Sequence, residues 1–578
     1  SDRMFAWRHL RRQGFVEFRL SRKLGKLYGV NLSFSTDGGG TYRPCAIYCG
    51  IGVDELAEGC TAEIWNTAVW EGRVGEGVKL NRLFWNLYLN GLHDGSDSVR
   101  VRAEVLTAGG VEAFDRELAL QASRATYFVD WEAAIGGVPG WRVAGGCLST
   151  DEGVGPAQPV RVRPGLTGRF EVVFGVPDRV LSTRLKVSDE EWTYPFVVDK
   201  SHAGLYHKAH KEVRWKTVSL SADSVIEIGP NPNSVRNPEL YPFGRIAYVK
   251  FVPAVASANR TTARRPEGKL AFYFEPYSWS FCYGLNTPEQ VREVVGLFRE
   301  MGADEIHTQV IRVGSRSLHH GRVAQRCEGK MPGDDQTHSG GPAEMVRSID
   351  VLRETIAACR ELGVAHYANA GLTNCYPGTD LEDRISREHP EWKTDNWILR
   401  YSHPETRAYA AAIVREFVEW GADGVSVDCM RYPHHHTEQD LVGLFEAIRE
   451  AVGEATPVCA RIPAGDVVFF RAFEPLARSG IVRCVIPSRD SQAIQFSLKP
   501  YLRFKDFGCK VYGRVDPWKT GLWWDKQSGY SSLLSGPSEV RRDIARFLKE
   551  GAYGIFVYQA DLFVADALTR TVLDWRRW

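Results

Sequence analysis

Carboxylates recur in this chain at one kind of place, directly after a short apolar run and within a few positions of an arginine or an aromatic ring. Glu275 follows the run 270–274 and precedes Trp279, and Asp428 follows 424–427 and precedes Arg431 and Tyr432. Asp490 adjoins Arg489, Asp516 lies between Arg514 and Trp518, and Asp561 follows Tyr558. Such a set has the makings of glycosidic cleavage. One carboxyl protonates the leaving oxygen, a second attacks the anomeric carbon or activates water, and aromatic faces hold the sugar ring. Taken singly, each acid reads more plainly as a loop cap or an arginine partner; the clustering is what favours chemistry.

The elements that would position these residues are marked by punctuation. From residue 268 onward one phrase repeats: an amphipathic helix, a glycine, then a short apolar strand. Its glycines are Gly302, Gly363, Gly421, Gly480, Gly508 and Gly551, placed where a helix C-terminus takes a left-handed residue. Thr287-Pro288-Glu289-Gln290 reads as a capping box with proline at the first helical position. Eight strands are expected, beginning at Leu270, Glu305, Val364, Gly424, Val458, Ile481, Lys510 and Gly554. Alternation of strand and helix implies a parallel sheet, and eight such units imply a closed (β/α)8 TIM barrel. No glycine-rich phosphate loop follows the first strand, which disfavours an open dinucleotide-binding sheet.

Active sites of such barrels lie at the C-terminal ends of the strands. That rule gathers Glu275 and Trp279 from strand one, Arg312 from strand two, Asn369 from strand three, and Asp428, Arg431 and Tyr432 from strand four. It adds Arg461 from strand five, Asp490 after strand six, Asp516 and Trp518 from strand seven, and Asp561 after strand eight. Asp428 is the expected catalytic carboxylate; the others, Asp490 apart, are expected to bind substrate.

The segment HPETRAYAAAIVREFVEWGADGVSVDCMRYP (403–433) resembles the signature of bacterial family 10 glycosyl-hydrolase-like barrels, which reads HPE…DGI-x-x-D-x-x-R-[YF]-P. More loosely it is similar to the fourth strand of α-galactosidase-type barrels, which carries their aspartate nucleophile. The resemblance implies a glycoside hydrolase with Asp428 as a catalytic or substrate-contacting carboxylate and Arg431 beside it. The α-galactosidase-type pattern puts the acid/base after strand six, which matches Asp490 as the second catalytic residue. That pattern has Lys two residues before its nucleophile, where this chain has Ser426.

The first half reads differently. The stretches 98–106, 169–176, 217–229 and 244–253 alternate apolar and polar residues between Gly, Pro, Asp and Asn turns. They predict an all-β sandwich region ahead of the barrel. Two modules are expected, 1–130 and 131–255, then a polar linker, 256–268, and the barrel at 269–578. The modules have three candidate roles: binding glycan, sealing the barrel, or building a homo-oligomer.

With 72 basic and 71 acidic residues in 578, no net field recruits nucleic acid or an anionic membrane. The 17 Trp and 22 Tyr tilt the expectation toward a carbohydrate partner. No apolar run is long enough to cross a bilayer. The residues after Ser1 do not follow a signal-peptide pattern, which leaves a cytoplasmic location, or a secreted or periplasmic one after loss of a leader. Cys359, Cys429, Cys459, Cys484 and Cys509 read as small buried hydrophobes. No cofactor and no metal site are expected; the runs His434-His435-His436 and His319-His320 read as solvated loops. Trp523-Trp524 is equally a sugar platform or a loop anchor. The rival readings are a catalytically silent carbohydrate-binding protein and a lyase with His307 or Tyr367 as base.

Overall fold

The computed structural model describes residues 4–558 apart from a set of segments, the longest being 54–61, 151–157, 177–182, 193–210, 231–242, 255–267, 489–495, 516–523 and 531–536. The chain divides into two compact units, Ser1–Arg260 and Thr261–Val564.

The first unit is built from antiparallel sheets. One contains Phe5–Leu10, Phe15–Leu20, Arg82–Asn86, Ala46–Tyr48 and Val69–Glu71; another contains Gly110–Leu118, Val99–Thr107, Leu27–Ser35, Arg43–Pro44 and Arg73–Gly75. Val99–Thr107 buries every second residue, as a strand with one face on a core must. Phe18 and Trp85 of the first sheet and Leu32, Phe34 and Val101 of the second enter one buried cluster. Further along, Thr126–Phe128, Tyr248–Pro253, Gly168–Val176 and Lys211–Leu220 form a four-stranded sheet, and Val160–Val162, Ile226–Pro230 and Thr183–Val187 a three-stranded one.

The second unit is a closed eight-stranded parallel barrel. Its strands, numbered one to eight, are Lys269–Phe274, Glu305–Arg312, Ala365–Gly371, Gly424–Asp428, Val458–Pro463, Cys484–Ser488, Lys510–Val515 and Gly554–Val557. The expected strand starts agree closely, except that strand six begins at Cys484 and not Ile481. Val482 is still tied to the preceding helix by an N–H bond to Leu476 O of 3.0 Å, and pairing with strand five starts at Arg483, whose N–H reaches Val458 O at 2.9 Å.

The helices end and begin where their residues dictate. The phrase glycines all take positive φ, from +66° at Gly363 to +105° at Gly551. At Gly363 the N–H returns to Arg360 O and closes Val351–Leu362, a conformation that would strain any residue with a Cβ. Helix Pro288–Glu300 starts with the full capping box: Gln290 N–H donates to Thr287 Oγ1 at 3.3 Å, and Thr287 N–H to Gln290 Oε1 at 3.1 Å.

Inside the barrel, alternate residues of each strand form layers. Ala271, Tyr273, Tyr367, Cys459, Cys484, Ile486, Tyr512 and Phe556 make its buried core. Gly424 belongs to this inward set because Tyr367 crosses it. A Cβ there would stand 2.3 Å from the Tyr367 ring.

Candidate active site

Counting on by twos from that core leads to the barrel mouth. Tyr273 leads to Glu275, Cys459 to Arg461, Tyr512 to Arg514 and Phe556 to Tyr558, while Gly424 and Ser426 lead to Asp428. Register then sets neighbours: Asp428 pairs with Gly371 on one side and Arg461 on the other. Strand four turns away just after Asp428 because Met430 N–H donates to Asp428 Oδ1 at 3.0 Å. Tyr432 then takes φ +52° ahead of Pro433.

Two carboxylate–guanidinium pairs dominate the mouth. Arg461 Nε lies 3.3 Å from Asp428 Oδ1, with side-chain exposures of 6% and 12%. Arg312 Nη2 donates to Glu275 Oε1 at 2.8 Å, its Nη1 donates to the Tyr376 hydroxyl at 2.6 Å, and Ser278 Oγ donates to Glu275 Oε2 at 3.0 Å. Burial opposes the charge on Arg461, but Asp428, Tyr558 and Tyr273 outweigh it and raise its pKa. Tyr273 is influenced by both carboxylates. Burial first, then the charges of Asp428 and Glu275, push its pKa well up, so this phenol stays protonated and is available as a neutral donor.

Aromatic rings line the same space. The Tyr273 and Tyr558 centroids are 5.0 Å apart, and the Arg461 Cζ lies 3.7 Å from the Tyr558 centroid, within cation–π range. Arg514 Cζ lies 4.9 Å from that centroid. Asn369 donates through Nδ2 to Ser426 Oγ. The position that carries Lys in the α-galactosidase-type pattern therefore holds a hydroxyl bonded to an amide.

The expected site residues separate into three groups. Glu275, Arg312, Asp428 and Arg461 come together at the mouth through the pairs just described, and Asn369 reaches Ser426 beside them. Arg431 is exposed and Tyr432 half-buried, whereas Trp279 is 3% exposed and packs edge-on to Phe274 and Phe298. Trp279 therefore supports the wall behind strand one, its ring faces covered by core. Asp490, Asp516, Trp518 and Asp561 lie outside the described residues, as does Trp523. The second catalytic carboxylate expected at Asp490 therefore has no geometry here; strand six ends at Ser488, two positions before it.

Tyr273 and Tyr376 had not been expected in the site. Tyr273 was open to discovery by counting back two residues from Glu275. Tyr376 had no such signal, since it lies in the connection after strand three and reaches Arg312 only through the fold.

The residues weighed for a lyase are placed deeper. His307 is 1% exposed and stacks on Tyr367 at 4.6 Å, and burial drives the Tyr367 pKa far above its usual value. The histidine runs differ from expectation in part. His434 and His435 are exposed, but His436 is buried against Tyr401, and burial lowers its pKa to about 4. His319, expected in a solvated loop, is fully buried between Phe417 and Trp420, with Glu416 Oε2 3.5 Å from its Nε2. The reason is Gly321: a Cβ there would fall 2.3 Å from His319 Nε2, so only glycine lets the turn close over the ring. Among the described residues no three His, Cys, Asp or Glu side chains group as metal ligands, and no helix is long and apolar enough to cross a membrane.

No family model matches the chain, and no curated protein matches it in sequence. Similar solved structures are glycoside hydrolases. A maltogenic α-amylase, AmyB, from Thermotoga neapolitana is 11% identical, over 54% of this chain and 77% of that one, with a TM-score of 0.32. α-L-Fucosidase isoenzyme 2 from Paenibacillus thiaminolyticus is 13% identical, over 54% of this chain and 49% of that one, with a TM-score of 0.34. The glycoside hydrolase domain of PelA from Pseudomonas aeruginosa is 12% identical, over 52% of this chain and 98% of that one, with a TM-score of 0.31.

Proposed function

We propose that the barrel is a glycoside hydrolase that cleaves a poly- or oligosaccharide, with Asp428 as its nucleophile or general base. One observation carries this reading: two buried carboxylates, each held by a guanidinium, flank a protonated phenol at the C-terminal mouth of the barrel. Asp428 lies beside the Arg461 guanidinium at the end of strand four, where a nucleophile or base of such a barrel belongs. Glu275 is fixed by Arg312 and Ser278 as an acceptor for a sugar hydroxyl, and Tyr273 supplies a neutral donor between the two acids. The resemblance of residues 403–433 to family 10 glycosyl-hydrolase-like barrels supports the same assignment.

The general acid in this reading is Asp490, with Asp516, Glu275 and Asp561 as the other candidates. Arg431, Tyr432 and Trp518 belong to the outer rim, where a longer glycan would extend. The separation of the acid from Asp428 would set the stereochemistry: about 5–5.5 Å for retention and about 6.5–9.5 Å for inversion.

The test uses aryl glycosides. Asp428→Gly should be inactive alone; if Asp428 is the nucleophile, azide should restore turnover and release a glycosyl azide. The general acid is identified by Ala variants of Asp490, Asp516 and Glu275, because its variant recovers only on an activated leaving group. Wild-type protein that hydrolyses no member of a broad glycoside panel would sink the reading.

A further inference from the structure

Arg461 has more hydrogen-bonding capacity than its surroundings use. Its guanidinium carries five N–H donors and is only 5% exposed. Among the described residues, Nε and Nη1 are buried and make no hydrogen bond; Nε stands 3.3 Å from Asp428 Oδ1 without bond geometry. Leaving donors of a buried cation unfilled is costly. The equally buried Arg316 differs, with its donors filled. There Nη1 and Nη2 both bond Asp334, at 3.1 and 3.0 Å, and Nε bonds Glu382 O at 3.1 Å.

Three further observations concern the same mouth. Arg514 stands over the ring that Arg461 covers, 4.9 Å from the Tyr558 centroid against 3.7 Å, so two like charges converge on one phenol. On the neighbouring strands, Gln309 Oε1 and Asn369 Oδ1 are buried acceptors without a hydrogen-bond partner among the described residues. These two residues are paired in register. The site thus presents unfilled cationic donors together with unfilled neutral acceptors. A neutral sugar's hydroxyls satisfy the acceptors. Only a substrate that also carries an anionic oxygen matches the donors with comparable strength.

We infer that Arg461 recognises an anionic group on the sugar, making the substrate an acidic glycan; resting on the glycosidase reading, this narrows its substrate class to sugars bearing a carboxylate or a sulfate ester. Both present the same oxygens to a guanidinium, so the experiment separates them.

The full chain is assayed on paired 4-nitrophenyl glycosides of both anomers: glucuronide against glucoside, galacturonide against galactoside, and 6-sulfated against unsulfated sugar. Thermal shift with the matching free sugars is measured in parallel. The expected result is a kcat/KM for one acidic member roughly 10–100-fold above its neutral counterpart, the range of a hydrogen bond to a buried charge. Arg461→Met should bring that ratio close to one, and Arg461→Lys should retain part of it. The ratio is the readout because the variant also disturbs Asp428. Should Arg461→Met fail to fold, the wild-type ratio decides alone.

Hydrolysis of neutral glycosides as fast as acidic ones, or faster, overturns the inference while the glycosidase reading stands. Absence of any hydrolysis, with stabilisation by an acidic sugar that Arg461→Met removes, supports the anion site and defeats the glycosidase reading. No hydrolysis and no preference for acidic sugars overturns both.

Discussion

Two carboxylates are buried inside the same barrel, Glu305 near the N-terminal ends of the strands and Asp428 at the C-terminal ends, and their surroundings differ in kind. Glu305 Oε2 accepts from the Tyr512 hydroxyl at 2.9 Å, with His307 Nε2 at 3.7 Å. Around it lie Tyr367, Cys459 and Cys484, closely packed and uncharged. Asp428 takes one backbone N–H and faces a guanidinium whose Nε and Nη1 make no hydrogen bond among the described residues. Glu305 is thus held by a hydroxyl, beside a buried His307 whose ring nitrogens make no hydrogen bond among the described residues, whereas Asp428 faces a guanidinium. Since both sit on the same inward columns, the fold alone does not separate structural acid from functional acid. The end of the barrel and the charge of the partner do.

The largest effect expected from this contrast is at the mouth. Asp428→Asn should lower turnover at least ~10³-fold, as removal of a nucleophile or base does, while far-UV circular dichroism shows the fold intact. Near-wild-type turnover would remove Asp428 from the chemistry and erase the distinction drawn between the two acids.

A second cut goes to a fully satisfied cluster outside the barrel interior. Asp334 binds Arg316 through two hydrogen bonds, also accepts from Arg387, and takes the Met331 N–H at 2.7 Å. This cluster ties the connection after strand two to that after strand three. Asp334→Ala strands Arg316, whose side chain is 1% exposed, and should cost about 3–5 kcal/mol, as loss of one partner of a buried pair does. Urea unfolding measures it; a cost under ~1 kcal/mol would mean the cluster is not closed.

The barrel was legible because its signals are local. Each phrase glycine sits at a helix end, and the capping box of Thr287 is spelled out in four consecutive residues. Which side of a strand faces inward was equally available, since period-two counting from Glu275 or Asp428 passes through Tyr273 and Ser426. What could not be read is pairing across distance. Arg312 meets Tyr376 and Glu275 through 64 and 37 positions of intervening chain. His319 lost its solvated reading because its partner, Glu416, lies on a helix far along the chain. Trp279 has the composition of a sugar platform, and only packing against Phe298 makes it a wall.

Glu416 supplies a pH test of the same contrast. Burial would raise its pKa, but His319 and the N–H groups of Arg322 and Val323 lower it from 4.5 to about 2. A carboxylate depressed in the folded state contributes stability above its unfolded value and loses it as pH falls through the folded one. Its contribution should be complete above 4.5 and fade toward 2. Glu416→Gln should cost roughly 1–3 kcal/mol at neutral pH, and the gap from wild type should shrink on acidification. A constant gap would show that the charge is not what the site uses.

The smallest effect is the sharpest comparison, Glu305→Gln against Asp428→Asn, because each replaces a buried carboxylate by its amide. At Glu305 burial works to raise the pKa, but His307 and the Tyr512 hydroxyl outweigh it and hold the group below its ordinary value. The carboxylate is therefore the form the floor is built for. An amide keeps an acceptor for Tyr512 and fills the same volume, so the loss is confined to the charge-assisted part of the bonding, about 1 kcal/mol. Turnover should stay within a factor of about two, since the N-terminal end of such a barrel contributes stability and not chemistry. The sign with pH follows from the depressed pKa: the destabilisation is present at neutral pH and disappears below the ordinary carboxylate range, where wild-type Glu305 also loses its charge. Chemical denaturation at neutral and acidic pH, with kcat/KM measured on the same preparations, reads both quantities. If Glu305→Gln instead abolishes turnover while Asp428→Asn does not, the two ends of the barrel have been assigned the wrong way round.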